Sequence, residues 1–144
     1  MSDLVGQCLC GAVKFAVTPP TLFCAHCHCY WCRRAHGAAF VTWVGAAEGQ
    51  FRLLPGSAEP RWFQSSGQSR RGFCGNCGTT LFYASTLCPG EIHVARPAFD
   101  GAIDREPACH IFYDQRAEWF EAEDVLPKYT SEEPGLAKFK AVRS

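Results

Sequence analysis

The sequence predicts a mainly β, single-domain protein, residues 1–144, with at most short helices. Three observations predict this. A chain of 144 residues, 47% hydrophobic, is one domain of ordinary size with a core of its own. Its apolar runs are short, rich in β-branched and aromatic residues, and separated by glycine and proline. No internal repeat or low-complexity tract interrupts them, and the helical signals are brief.

Each element follows from local pattern. Val13, Phe15 and Val17 alternate with shorter or polar residues, the period of a strand with one buried face. Thr18-Pro19-Pro20-Thr21 breaks that strand. Residues 38–44 form a second strand, bounded by Gly45. Short apolar runs at 51–54, ended by Pro55-Gly56, and at 61–64 lead into an exposed turn at 65–69. Further strands are expected at 79–83, 91–95 and 110–113. A brief helix is expected to begin near Ser131, with Glu132, Glu133 and Pro134 in its first turn and Leu136 and Phe139 on one face.

Composition excludes several classes of function. Lys+Arg and Asp+Glu both number 14, so no general attraction to nucleic acid or to a membrane surface follows. The first residues carry Asp3 and Gln7 without an apolar run, and no stretch approaches the roughly 18 apolar residues of a membrane span. The expectation is a soluble, cytoplasmic chain with no nucleic-acid or membrane partner. Ten cysteines in a reducing compartment then point to metal binding or redox chemistry rather than disulfides. Cys88 and Cys109 have no close partner and read as small buried hydrophobes.

The other cysteines are clustered. Residues 23–37 hold Cys24, Cys27, Cys29 and Cys32, with His26, His28 and His36 and the Arg33-Arg34 pair; no strand or helix is assigned there. Thiolate and imidazole are preferred zinc ligands, and Cys27-His28-Cys29-Tyr30-Trp31-Cys32 spaces three sulfurs for one ion with a fourth position left over. Cys24, His26 or His36 would close that position if any reached it. His28, between two ligands, should point elsewhere. Cys74-Gly75-Asn76-Cys77-Gly78 reads as a zinc knuckle, with Gly78 supplying the turn that aims amides at the sulfurs; a redox pair is the rival. Cys8 and Cys10, at the head of the first strand, are the available partner pair for a closed four-sulfur site.

These three motifs in order, Cys8-x-Cys10-Gly11-x-Val13, Cys27-His28-Cys29-x-x-Cys32-Arg33 and Arg71-x-Phe73-Cys74-x-x-Cys77-Gly78-x-x-Leu81, resemble the glutathione-dependent formaldehyde-activating enzyme (Gfa) family, which includes centromere-protein-V-like proteins. Pro107-Ala108-Cys109-His110-Ile111 with Trp119, Asp124, Leu126 and Pro127 is similar to that family's C-terminal pattern. The resemblance implies antiparallel sheets arranged like a tent, a structural zinc at Cys8, Cys10, Cys74 and Cys77, and a second zinc at Cys27, Cys29 and Cys32. It also implies a carbon–sulfur lyase that joins glutathione and formaldehyde into S-hydroxymethylglutathione.

That chemistry suits the residues. A three-thiolate ion with one exchangeable position can deprotonate a thiol or polarise an aldehyde, and should be more labile than a four-sulfur ion. Arg33 and Arg71, from the pairs Arg33-Arg34 and Arg70-Arg71, are candidate anchors for the carboxylates of a small thiol such as glutathione. The alternatives are a non-catalytic, zinc-stabilised module that binds a protein partner, and a redox sensor using Cys24 and Cys27.

Overall fold

The computed structural model describes residues 2–140. Its first half comprises β1 (Leu4–Gln7), β2 (Lys14–Val17), β3 (Phe23–Cys27), a two-turn helix α1 (Tyr30–His36), β4 (Val41–Ala47) and β5 (Phe51–Leu53). The second half adds β6 (Arg61–Gln64), β7 (Ser69–Phe73), β8 (Thr80–Ser85), β9 (Glu91–Ala95), β10 (His110–Ile111) and a 3₁₀ segment at Pro134–Phe139. Strands β1-β2-β5 make a small antiparallel sheet. The larger sheet runs β10-β3-β4-β9-β8-β7-β6 and is antiparallel except that β10 lies parallel to β3. The fold is therefore mainly β, as expected.

The large sheet is the middle layer, buried on both faces. One face meets the small sheet through Phe15, Val17, Val44, Phe82 and Val94. Phe15 packs edge-on against Phe82 and Phe99, with ring centroids 5.4 and 5.3 Å apart. The opposite face packs Trp43, Tyr83 and Ala95 against Cys32 of α1, Ile111, Phe112 and Leu136. Strict alternation allots neighbouring residues to different cores: Trp43 and Val44 on β4, Phe82 and Tyr83 on β8.

Several expectations are corrected. Gly45 lies in the middle of β4 instead of ending it. A Cβ there would meet the Phe23 ring at 2.2 Å, so the missing side chain lets that ring lie across the strand. The cysteine-rich stretch is regular structure, strand β3 followed by helix α1. Only Cys32 of that helix is buried, so it shows no apolar periodicity for a sequence reading to detect. β7 fills the knuckle's approach, where no strand was expected, and β1 precedes the first expected strand. The segment near Ser131 is 3₁₀ and starts at Pro134, with Leu136 buried. Among the described residues no helix is long and apolar enough to cross a membrane.

Candidate functional site

Two hairpin turns from different sheets face each other. The β1–β2 turn carries Cys8 and Cys10, and the β7–β8 turn carries Cys74 and Cys77. The four sulfurs all lie within 4.8 Å of one another; Cys10 is 3.7 Å from Cys8 and 3.8 Å from Cys74. Four sulfurs held about 2.3 Å from a central ion would sit about 3.8 Å apart, so the set fits a tetrahedral zinc. Amides are already aimed at the sulfurs. Val13 N–H donates to Cys8, the N–H groups of Asn76 and Cys77 donate to Cys74, and Asn76 Nδ2 donates to Cys10 at 3.2 Å. Gly78, at φ 78°, takes the left-handed turn that returns its N–H to the Cys74 carbonyl at 2.8 Å. Both pairs expected from the sequence thus meet across the two sheets.

The second cluster sits where β3 passes into α1. Cys27 ends the strand, Cys29 precedes the helix and Cys32 lies in its first turn. Cys27 Sγ is 3.7 Å from Cys32 Sγ, the spacing a shared ion requires, and Cys29 faces the same cavity. Among the described residues these three sulfurs are not drawn together as tightly as the four of the first site. Arg71 is buried against them, its Nη1 and Nη2 donating to Cys32 Sγ at 3.6 and 3.5 Å. Bonds from the Cys27 and Cys29 thiols, helped by the Arg71 charge, hold the Cys32 thiol well below its usual range despite burial. Cys27 is pushed up by its bonds to Cys29 and Cys32 and by burial. A bond with Cys27 favours the Cys29 thiolate, but its bond to Cys32 and burial push that thiol up to about 11. Three sulfurs beside a buried guanidinium offer an ion thiolate ligands whose negative charge the Arg71 side chain offsets.

Register builds the rest of the cavity. Arg71, Tyr83, His93, Gly45 and Phe23 stand directly opposite one another across β7, β8, β9, β4 and β3. A one-residue slip in any strand would turn its member of the row to the other face. The space beside the three cysteines is about 30 Å³, bounded also by Trp43 and Phe139. An adjoining cleft of about 410 Å³ shares Arg71 as a wall and is lined by Trp31, Arg34, Phe63 and Phe73.

Parity on β3 excludes two of the expected fourth ligands. Cys24 and His26 alternate away from Cys27, and Cys24 belongs to the core under the small sheet. Burial pushes the Cys24 thiol up to about 11, and it faces away from Cys27, so those two do not form a redox pair. His26 is 2.8 Å from Thr42 Oγ1 through Nδ1. His36 lies edge-on to Trp43 and does not line the cavity. His28 is fully buried and bonds His110, which bonds Asp124. Arg33 donates to the Gln115 carbonyl and lies over Tyr30 and Trp119, outside both spaces. Tyr83, His93 and Phe139 carry no motif. Only the apolar alternation of β8 and β9 could have flagged the first two.

With this geometry in hand, comparison with known proteins is direct. Residues 3–115 match the family described as glutathione-dependent formaldehyde-activating enzyme. This chain belongs to that family. A Halomonas elongata protein provisionally named a glutathione-dependent formaldehyde-activating enzyme is 25% identical over 127 residues, covering 83% of this chain and 81% of that one. An uncharacterized lyase of Schizosaccharomyces pombe is 28% identical over 138 residues, covering 88% of this chain and 96% of the other. The crystal structure of a Rhodobacter sphaeroides protein shares the fold, with a TM-score of 0.59 at 22% identity, over 88% of this chain and 99% of that one. The matched residues 3–115 span both cysteine clusters.

Proposed function

We propose that this chain is a zinc-dependent enzyme of carbon–sulfur lyase type acting on an adduct of a small thiol and an aldehyde, as in S-hydroxymethylglutathione formation. Membership of the formaldehyde-activating family supports the reaction class. The observation that carries it is Arg71, which reaches Cys32 Sγ at 3.5 Å in the small cavity that Cys27, Cys29 and Cys32 also line. A cluster serving only to brace the fold has no need of a buried guanidinium that also walls an open cleft.

Cys27, Cys29 and Cys32 would hold the second zinc, and that ion would supply Lewis acidity or stabilise a thiolate. The chain's own residues do the rest. The adduct forms when the thiol gives up its proton to solvent, its sulfur bonds to the carbonyl carbon, the carbonyl π pair moves to oxygen, and oxygen takes a proton back from solvent; cleavage reverses each step. Arg71 keeps positive charge beside the Cys32 sulfur and so offsets the negative charge gathered at the cluster. Phe23, Trp43 and Phe139 wall a space of about 30 Å³, room for little more than one water or a small ion. The remainder of a glutathione-sized thiol fits the 410 Å³ cleft, where Arg34 and Arg71 meet its carboxylates and Trp31 and Phe63 cover its stem. This assigns carboxylate binding to Arg34 and Arg71 rather than Arg33.

The test is glutathione–formaldehyde exchange followed by NMR, with metal content measured on the same samples. The wild-type, zinc-loaded protein should accelerate exchange. Cys29→Ser should lose the acceleration and one zinc while keeping the other. Exchange no faster than in buffer with both zincs bound would sink the proposal.

A further inference from the structure

A third group of donor atoms lies outside both cysteine clusters, where β8 turns into β9. Ligand atoms of Cys88, Glu91 and His93 all lie within 4.8 Å of one another. Cys88 and His93 are only 3% and 4% exposed. The turn explains the grouping. Cys88 N–H donates to the Ser85 carbonyl at 3.2 Å, and Glu91 N–H donates to the Cys88 carbonyl at 3.4 Å, which folds the thiol back toward the new strand. Glu91 and His93 are two residues apart on β9 and so share its face.

The arrangement has the character of a built site. His93 Nε2 is 3.1 Å from Glu91 Oε1. Nitrogen and oxygen ligands bound at about 2.0–2.1 Å to a tetrahedral ion stand about 3.3 Å apart, so little movement separates the present contact from joint ligation. The imidazole is clamped by rings: Phe23 and Phe139 edge-on at 4.9 and 5.4 Å, and Tyr83 stacked at 5.4 Å. The Cys88 thiol is buried beside the Glu91 carboxylate and the His93 imidazole, with no acidic or basic side chain bonded to its sulfur among the described residues. Thiolate with imidazole selects borderline divalent ions such as Zn²⁺ or Co²⁺ over Mg²⁺ or Ca²⁺, and one carboxylate brings the ligand charge to that of the ion. A cation already attends the site: Lys138 Nζ is 3.3 Å from Glu91 Oε2.

We propose that Cys88, Glu91 and His93 form a third binding site for a zinc-type divalent cation, weaker than the four-sulfur site because the Lys138 ammonium competes for Glu91. Binding releases the Cys88 thiol proton to solvent and leaves His93 neutral, bound through one ring nitrogen and protonated on the other. His93 also walls the Cys27/Cys29/Cys32 cavity, so the rival arrangement is one in which it completes that site instead.

Equilibrium dialysis of the zinc-loaded full-length protein against Co²⁺ separates the two. Wild type should bind one equivalent of metal more than Cys88→Ser, with a thiolate-to-cobalt absorption band that Cys88→Ser lacks. His93→Gln should lose the same equivalent, and Cys29→Ser should retain it. Lys138→Met, a half-exposed surface change, should bind it several-fold more tightly. Equal stoichiometry in wild type and Cys88→Ser, loss of the extra equivalent in Cys29→Ser, or unchanged affinity in Lys138→Met would each overturn the proposal.

Discussion

Gly45 shows how one residue shapes the cavity. The space a Cβ would need is taken by the Phe23 ring, which continues to within 4.9 Å of the His93 ring. Phe23 is held in turn by Phe139, so it has nowhere to retreat. Gly45→Ala should therefore destabilise the protein by about 1–3 kcal/mol through overpacking, read as a lower denaturant midpoint at unchanged slope. Arginine identity matters at the same scale. Arg34 donates to the Tyr30 hydroxyl and lies over its ring, yet also lines the cleft that Arg71 walls, whereas Arg33 is committed to Gln115 and two aromatic rings away from it. Arg34→Ala should weaken glutathione binding roughly five- to ten-fold in calorimetric titration, as expected for one exposed charge-assisted contact, and Arg33→Ala should leave it unchanged. Equal effects would refute the assignment.

At the scale of elements, β3 and the C-terminal segment decide what the cysteine-rich stretch can do. β3 sends odd-numbered residues toward the cavity and even-numbered ones to the other face, Cys24 into the core under the small sheet and His26 against Phe40 and His110, dividing a cluster that is continuous in sequence. The Pro134–Phe139 segment then covers the cavity, with Leu136 buried and Phe139 against Phe23 and His93. Phe139→Ala should speed labelling of Cys27, Cys29 and Cys32 by a small thiol reagent in zinc-free protein without lowering its melting temperature by more than a few degrees. The segment's approach is tied down by Asp114, which accepts from Ser131 N–H at 2.7 Å and from its hydroxyl. Burial alone would raise the Asp114 pKa, but these bonds outweigh it and hold the carboxyl below its usual value of 3.8. A lowered folded pKa contributes stability above the unfolded value and loses it as pH falls through the folded one. The stability difference between wild type and Asp114→Asn should thus be full near neutral pH and vanish in strong acid.

For the whole molecule, the four-sulfur site is the tie between the two sheets at their turns, reinforced where Leu9 N–H donates to Thr79 Oγ1 at 3.0 Å. A zinc held there would add to a hydrophobic core that already joins the sheets, so loss of metal should weaken the domain rather than unfold it outright. Stripping zinc with a strong chelator should lower the melting temperature by at least about 5 °C, as expected for a loss of ~2 kcal/mol in a domain of this size, and adding zinc back should restore it. Cys8→Ser should be low-melting with or without zinc.

The sequence by itself determined the β-rich class, the family and each cysteine pair, Cys8/Cys10 and Cys74/Cys77, because these rest on local spacing: alternation, turn glycines and short cysteine motifs; that the two pairs meet is seen only in the folded chain. The run of Glu91 to Ala95 was legible as a strand for the same reason. Tertiary structure alone decided which neighbours of the Cys27/Cys29/Cys32 set belong to it. Cys24, His26 and Arg33 are adjacent in sequence yet point elsewhere, while Arg71, Tyr83 and His93 arrive from three other strands. Pairing register between distant strands fixes that choice, and register is settled by the two buried faces of the sheet rather than by any single segment.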